Sequence, residues 1–107
     1  MPHAQLSYSD DIDVDAAALL REIEALILRH DPSAGDTKGR AYPTQAYHHT
    51  HFKAEIALLS KPYRDAAFTA ALQSDVFELI AAYLPRPCWL SVDLVYSGQG
   101  YRTELLT

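Results

Sequence analysis

The strongest constraint on this chain is a pattern that occurs twice: an alternating apolar-polar stretch, then an apolar stripe at three-to-four spacing, then a second strand-like stretch. In the first copy, residues 2–8 (PHAQLSY) set Pro2, Ala4, Leu6 and Tyr8 on one face and His3, Gln5 and Ser7 on the other, which is the two-residue period of a strand. Asp13 to His30 then reads as a helix. Ala16, Leu19, Leu20, Ile23, Leu26, Ile27 and His30 make its stripe, while Arg21, Glu22 and Glu24 fall mostly off it. Asp13 is placed to cap the first turn, and Asp31 with Pro32 ends the helix. SAGDTKG is a polar loop. GRAYPTQAYHH is a weak strand candidate that Pro43 confines to a sheet edge or a bulge.

The second copy follows Thr50. HFKAEIALLS alternates Phe52, Ala54, Ile56 and Leu58 against Lys53, Glu55, Ala57 and Leu59. Phe68, Leu72, Val76, Leu79 and Tyr83 step by three or four, which predicts one amphipathic helix over 62–84, with Pro62 in its first turn and PRP around Arg86 as its stop. CWLSVDLVY is the last strand, and GQGYRTELLT a turn with a short tail that pairs or docks elsewhere. The copies start roughly fifty residues apart and share no obvious identity. Each should form a right-handed crossover between parallel strands. The expected fold is a single α+β domain over 1–107, a four-stranded sheet with two helices on one face and the other face bare. A bare face of this kind favours assembly with further copies.

Composition narrows the function. Nine Lys and Arg against fourteen Asp and Glu give a formal charge of -5 with no basic run, so the footprint of a nucleic-acid binder is missing. One cysteine, Cys88, excludes an internal disulfide framework and reads as an inert core thiol in a reducing compartment. No apolar run reaches the ~20 residues of a spanning helix, and no leader is evident, so a cytoplasmic protein without a membrane partner is expected.

Pro2 opens a strand directly behind Met1, and removal of Met1 would expose a secondary amine that no internal residue can offer. An α-amino group has a reference pKa of about 7.7–8.0. Proline's amine is somewhat more basic, so an apolar pocket or a nearby cation must lower it before it can act as a base at neutral pH. Such a base suits removal of a proton α to a carbonyl and its return at another carbon. Arg40 or Arg64 could supply the positive field. A guanidinium can also grip a carboxylate through two parallel hydrogen bonds or stabilise a dienolate oxygen.

MPH leading straight into a strand, two β-α-β units, the arginine opening KGRAY and the arginine in KPYRDAAF together resemble the tautomerase superfamily over nearly the whole chain. Within it, the 5-carboxymethyl-2-hydroxymuconate isomerase group is the nearest likeness. The resemblance implies a homotrimer with active sites near subunit boundaries, Pro2 as general base, Arg40 and Arg64 as binders of a small-molecule carboxylate substrate, and no cofactor. Family members often carry glycine just before the second arginine, where this chain has Tyr63 behind Pro62.

Other readings stay open beside this one. Arg40 could cover an edge strand, and Arg64 could be a solvated residue near Asp65. Tyr47 and Tyr101 are candidate general acids, although Tyr47, Tyr96 and Tyr101 equally suit core and interface packing. In YHHTHF, His49 and His51 would share a strand face and His48 point away, which is too few ligands for a zinc site and suits a polar hairpin tip. His3 should face away from the base and serve subunit packing. Asp93, between Val92 and Leu94, is expected to meet a cation of another subunit or solvent. The same shell could also have lost turnover and serve as a binding module.

Overall fold

The computed structural model describes all residues, 1–107. Its elements are β1 (His3–Ser9), α1 (Ala16–His30), β2 (Lys38–Thr44), β3 (His51–Leu59), α2 (Ala66–Ala81) and β4 (Trp89–Ser97). They form a four-stranded sheet in the order β2-β1-β3-β4. β1 pairs with β2 and β3 with β4 in parallel, while β1 and β3 meet antiparallel at the centre. Two β-α-β units are thus joined back to back, as the doubled pattern requires.

Both helix starts differ from the sequence expectation. Asp15, not Asp13, caps α1, its carboxylate accepting from the Ala18 amide at 3.1 Å. α2 begins at Ala66 because Asp65 accepts from the Phe68 amide at 2.9 Å, and Pro62 lies in a preceding turn closed by Arg64 N–H to Lys61 C=O at 3.0 Å. The turn keeps residues 62–65 out of the helix. At the other end α2 stops at Ala81, and Tyr83 and Leu84 then bond three residues back, to Ile80 and Ala81. A stripe at three-to-four spacing runs past such turns without marking them.

The alternation in β1 and β3 is realised residue by residue. Ala4, Leu6 and Tyr8 of β1 and Phe52, Ala54, Ile56 and Leu58 of β3 are buried under the helices, together with Leu19, Ile23, Leu26 and Ile27 of α1 and Leu72, Val76 and Ile80 of α2. Ile80, rather than Leu79, completes the α2 contact; Leu79 lies half-buried at its margin. Tyr8 stacks on Phe52 at 5.1 Å between centroids. α1 passes so close over β2 that a Cβ on Gly39 would stand 2.7 Å from Leu20 Cδ2, so this strand position has room only for glycine unless Leu20 moves. β2 carries Pro43 at the sheet edge, where one neighbour is missing anyway.

The opposite face of the sheet is uncovered. Register places Arg40, Gln5, Glu55 and Asp93 in one row across it, from the β2 edge to the β4 edge. In this row the positive charge sits on the β2 edge, and the two carboxylates sit on β3 and on the β4 edge. No helix is long and apolar enough to cross a membrane.

Capping separates the observed from the expected helix start. Asp15→Ala should lower stability by about 1 kcal/mol, from the loss of the N-cap bond. Asp13→Ala should stay within ~0.5 kcal/mol, as for an exposed position outside the helix. Urea unfolding followed by circular dichroism measures both.

Candidate active site

The site assembles at the amino-terminal end of β1. Pro2 is fully buried on the helix-facing side of the sheet, in line with Ala4, Leu6 and Tyr8. Its carbonyl accepts from the Lys38 amide at 2.9 Å, which ties the start of β1 to the start of β2. The β1–β3 register, continued by two residues, sets the end of β3 and the turn behind it beside Met1 and Pro2.

That turn carries Arg64. Its guanidinium is buried, with Nε and Nη2 donating to Asp31 Oδ2 at 3.1 and 2.7 Å and Nη1 donating to the Leu59 carbonyl at 2.8 Å. The Tyr63 hydroxyl donates to the same carboxylate oxygen at 2.9 Å, and the Ser33 amide and hydroxyl donate to Oδ1 at 3.0 and 2.6 Å. Burial alone would push the Asp31 carboxyl up, but the bonds from Ser33, Arg64 and Tyr63 outweigh it and hold the group well below the usual carboxylate range. Of the five guanidinium hydrogens these bonds take three, leaving one on each Nη for any further acceptor.

Three cationic side chains bear on the amino group of Met1. Partial burial is the largest influence lowering the pKa of the amino group on Met1, and the charges of Arg64, Lys61 and Lys38 lower it further, in that order. Lys61 and Arg64 also lie over the Tyr63 ring, at 5.9 and 5.8 Å from its centroid. With Met1 in place the Pro2 nitrogen is an amide, and this field bears on a group one residue ahead of it.

The other sequence candidates divide by position. Arg40 stands opposite Gln5 on the uncovered face, exposed and without an ion pair, so it and the Pro2 ring project from opposite faces of the sheet. Tyr101 reaches the Pro2 end, where its hydroxyl lies 3.2 Å from the Met1 carbonyl oxygen and 3.0 Å from His3 Nε2. Tyr47 does not. It lies beyond the far end of β2, where burial, then Asp11 and Asp10, raise its pKa. Tyr96 bonds Thr69 at the α2–β4 contact. His3 faces away from Pro2, half-buried, its pKa lowered by burial, then by Arg40, the terminal amine and Lys38.

His48 and His49 lie in the turn into β3 and His51 is the first residue of that strand, at the sheet end opposite Pro2. His49 has φ +67°, its ring lies 4.0 Å from that of His48, and His51 Nδ1 contacts the His49 carbonyl at 2.8 Å. No three His, Cys, Asp or Glu side chains are grouped to hold a metal ion. Cys88 is half-buried beside Trp89 and Arg86 in a concavity at that end, its thiol pKa raised chiefly by burial. A second concavity lies between the helices, lined by Leu26, Arg29, His30, Asp75 and Leu79. Neither includes Pro2.

Asp31, Ser33 and Tyr63 escaped the sequence reading. Asp31 read as a helix stop, and its partner lies 33 positions away. A buried carboxylate of this kind is invisible to periodicity, and the only hint was its need for a cation.

No protein-family model and no curated protein matches the sequence. Solved structures do match in three dimensions. A 5-carboxymethyl-2-hydroxymuconate delta-isomerase superposes with TM-score 0.74 at 20% identity, over 98% of this chain and 88% of that one. A 5-carboxymethyl-2-hydroxymuconate isomerase from Deinococcus radiodurans R1 gives 0.74 at 17%, over 99% and 90%. A fused 4-OT, a symmetric trimer, gives 0.71 at 11%, over 94% and 91%. The chain has the tautomerase fold. Its architecture follows that of the 5-carboxymethyl-2-hydroxymuconate isomerases over nearly its full length, at identities that carry the fold alone.

Removing one partner of a buried pair strands the other charge, so Asp31→Ala should cost about 3–5 kcal/mol in urea unfolding at pH 7. Because the folded-state pKa of Asp31 is depressed, its stabilisation is complete above the unfolded aspartate pKa of about 3.9 and is lost as pH falls below it. Asp31→Asn should accordingly flatten the stability profile between about pH 4 and 2.

Proposed function

We propose that the chain is an isomerase of small unsaturated carboxylates, in which loss of Met1 turns Pro2 into the general base. The observation that carries this reading is the burial of Pro2 at a sheet end where Arg64, Lys61 and Lys38 all bear on the chain's start. Both influences favour a neutral amine, the form that can accept a proton from carbon. The structural neighbours named for 5-carboxymethyl-2-hydroxymuconate supply the substrate class, an unsaturated acid.

Arg64 acts in this scheme mainly as a fixed charge, since Asp31 holds the Nε–Nη2 edge through which a guanidinium commonly grips a carboxylate. Arg40, exposed and unpaired, is the arginine free to take the substrate's acid group. It would do so at a boundary between copies, because it lies on the uncovered face. We infer a homotrimer in which that face is covered by neighbouring copies; the fused 4-OT, a structural neighbour, is a symmetric trimer. Tyr101 is the phenol on the Pro2 side and, in preference to Tyr47, is the hydrogen-bond donor to the substrate oxygen. A reducing, cytoplasmic setting accords with the single free Cys88.

The commitment of Arg64 to Asp31 also favours a second reading, a trimer of the same fold that binds acids without turning them over. Phenylenolpyruvate and 2-hydroxymuconate separate the two. Protein whose intact mass lacks Met1 should isomerise one of them, with kcat/KM lowered at least about 100-fold in Pro2→Ala. Arg40→Ala should mainly raise KM. Equal, slow rates for wild type and Pro2→Ala would leave only the binding module.

A further inference from the structure

After β4, residues 98–107 have no regular structure, and the Tyr101 side chain makes their only hydrogen bonds to the rest of the chain. The phenol donates to the Met1 carbonyl oxygen at 3.2 Å and lies 3.0 Å from His3 Nε2, the two rings meeting edge to face at 5.9 Å. A phenol has one hydrogen, and it is given to Met1, so the contact with His3 requires the hydrogen to be on Nε2. The bonds therefore run in one direction, from His3 Nε2–H to the Tyr101 oxygen and from Tyr101 O–H to the carbonyl.

That carbonyl belongs to the carbon bonded to the Pro2 nitrogen. Standard peptide geometry puts its oxygen ~2.3 Å from the nitrogen. The phenol oxygen is thus within about 5.5 Å of the same atom. In protein lacking Met1, the oxygen of a substrate seated against the amine would lie within reach of the same phenol.

We propose that His3 is a positioning residue for Tyr101, orienting and polarising the phenol so that it donates to the substrate oxygen while the Pro2 amine takes the carbon-bound proton. The proposal rests on the isomerase reading above. In the step, the C–H bond breaks, its proton goes to the Pro2 nitrogen and its electron pair moves into a dienolate whose oxygen Tyr101 meets. The phenol keeps its proton, and Pro2 returns the other to a different carbon. A donor fixed in advance on developing charge is among the larger catalytic effects, and a second donor feeding the first strengthens it. Burial and the neighbouring cations keep His3 neutral at pH 7, so a single tautomer carries the bond. The segment 98–107 then serves as a strap that delivers the donor.

The test combines Tyr101→Phe, His3→Ala, His3→Gln and the double variant Tyr101→Phe/His3→Ala. Tyr101→Phe should lower kcat about 10- to 100-fold with KM nearly unchanged, the scale of one lost oxyanion donor or somewhat less. His3→Ala should lower kcat in the wild-type background, cost nothing further beside Tyr101→Phe, and be partly rescued by His3→Gln, whose amide N–H can replace Nε2–H. A second readout needs no substrate. In nitrogen-15 NMR of histidine-labelled protein lacking Met1, His3 should carry its hydrogen on Nε2, and that N–H signal should move in Tyr101→Phe, which removes its acceptor. Additive losses, or a His3 Nε2–H signal indifferent to Tyr101→Phe, overturn the proposal. Absence of turnover, or an unaffected Pro2→Ala, sinks the isomerase reading instead, and the His3 signal still decides whether His3 donates to Tyr101.

Discussion

A guanidinium and a carboxylate buried together, Arg64 with Asp31, organise the end of the sheet on which the rest depends. Each ion loses several kcal/mol of hydration on leaving water, and the pair is retained only where geometry and extra hydrogen bonds offset that loss. Here the carboxylate accepts from Arg64, Tyr63 and Ser33, and the guanidinium also reaches the Leu59 carbonyl. Helix α1 is thereby fastened to the turn behind β3, and a positive charge is fixed beside the start of β1. A salt bridge that anchors the fold also provides the field that disfavours a charged amine.

Topology explains why only one end of the sheet receives this treatment. The two β-α-β units are related like halves turned end over end, since β1 and β3 run antiparallel. Equivalent strand starts consequently lie at opposite ends. The start of β1 follows Met1 and Pro2, whereas the start of β3 follows a turn carrying His48, His49 and Thr50. An architecture close to twofold thus supports a site that is not repeated.

Much of the fold was legible because periodicity reports burial directly. The alternation of Ala4, Leu6 and Tyr8 and of Phe52, Ala54, Ile56 and Leu58 identifies the inner face, and Pro43 marks the edge strand. Helix starts were less legible, because Asp13 and Asp15 are equally good caps by type and only the bond to the Ala18 amide selects between them. For the site, Pro2 and Arg64 were readable as residue types. That Arg64 is engaged by Asp31, that Arg40 stands on the other face from Pro2, and that Tyr101 rather than Tyr47 returns to the chain's start all depend on contacts between residues far apart in sequence. Local pattern carries no information about those.

The central claim is that the Pro2 amine, once free, is held neutral by burial and by Arg64. Nitrogen-15 NMR of proline-labelled protein lacking Met1 measures this directly, as the pH at which the Pro2 nitrogen titrates. The account predicts a midpoint below the ~7.7–8.0 of an ordinary α-amine, rising when Arg64 is replaced by Gln. A midpoint above that range, unmoved by Arg64→Gln, would contradict it.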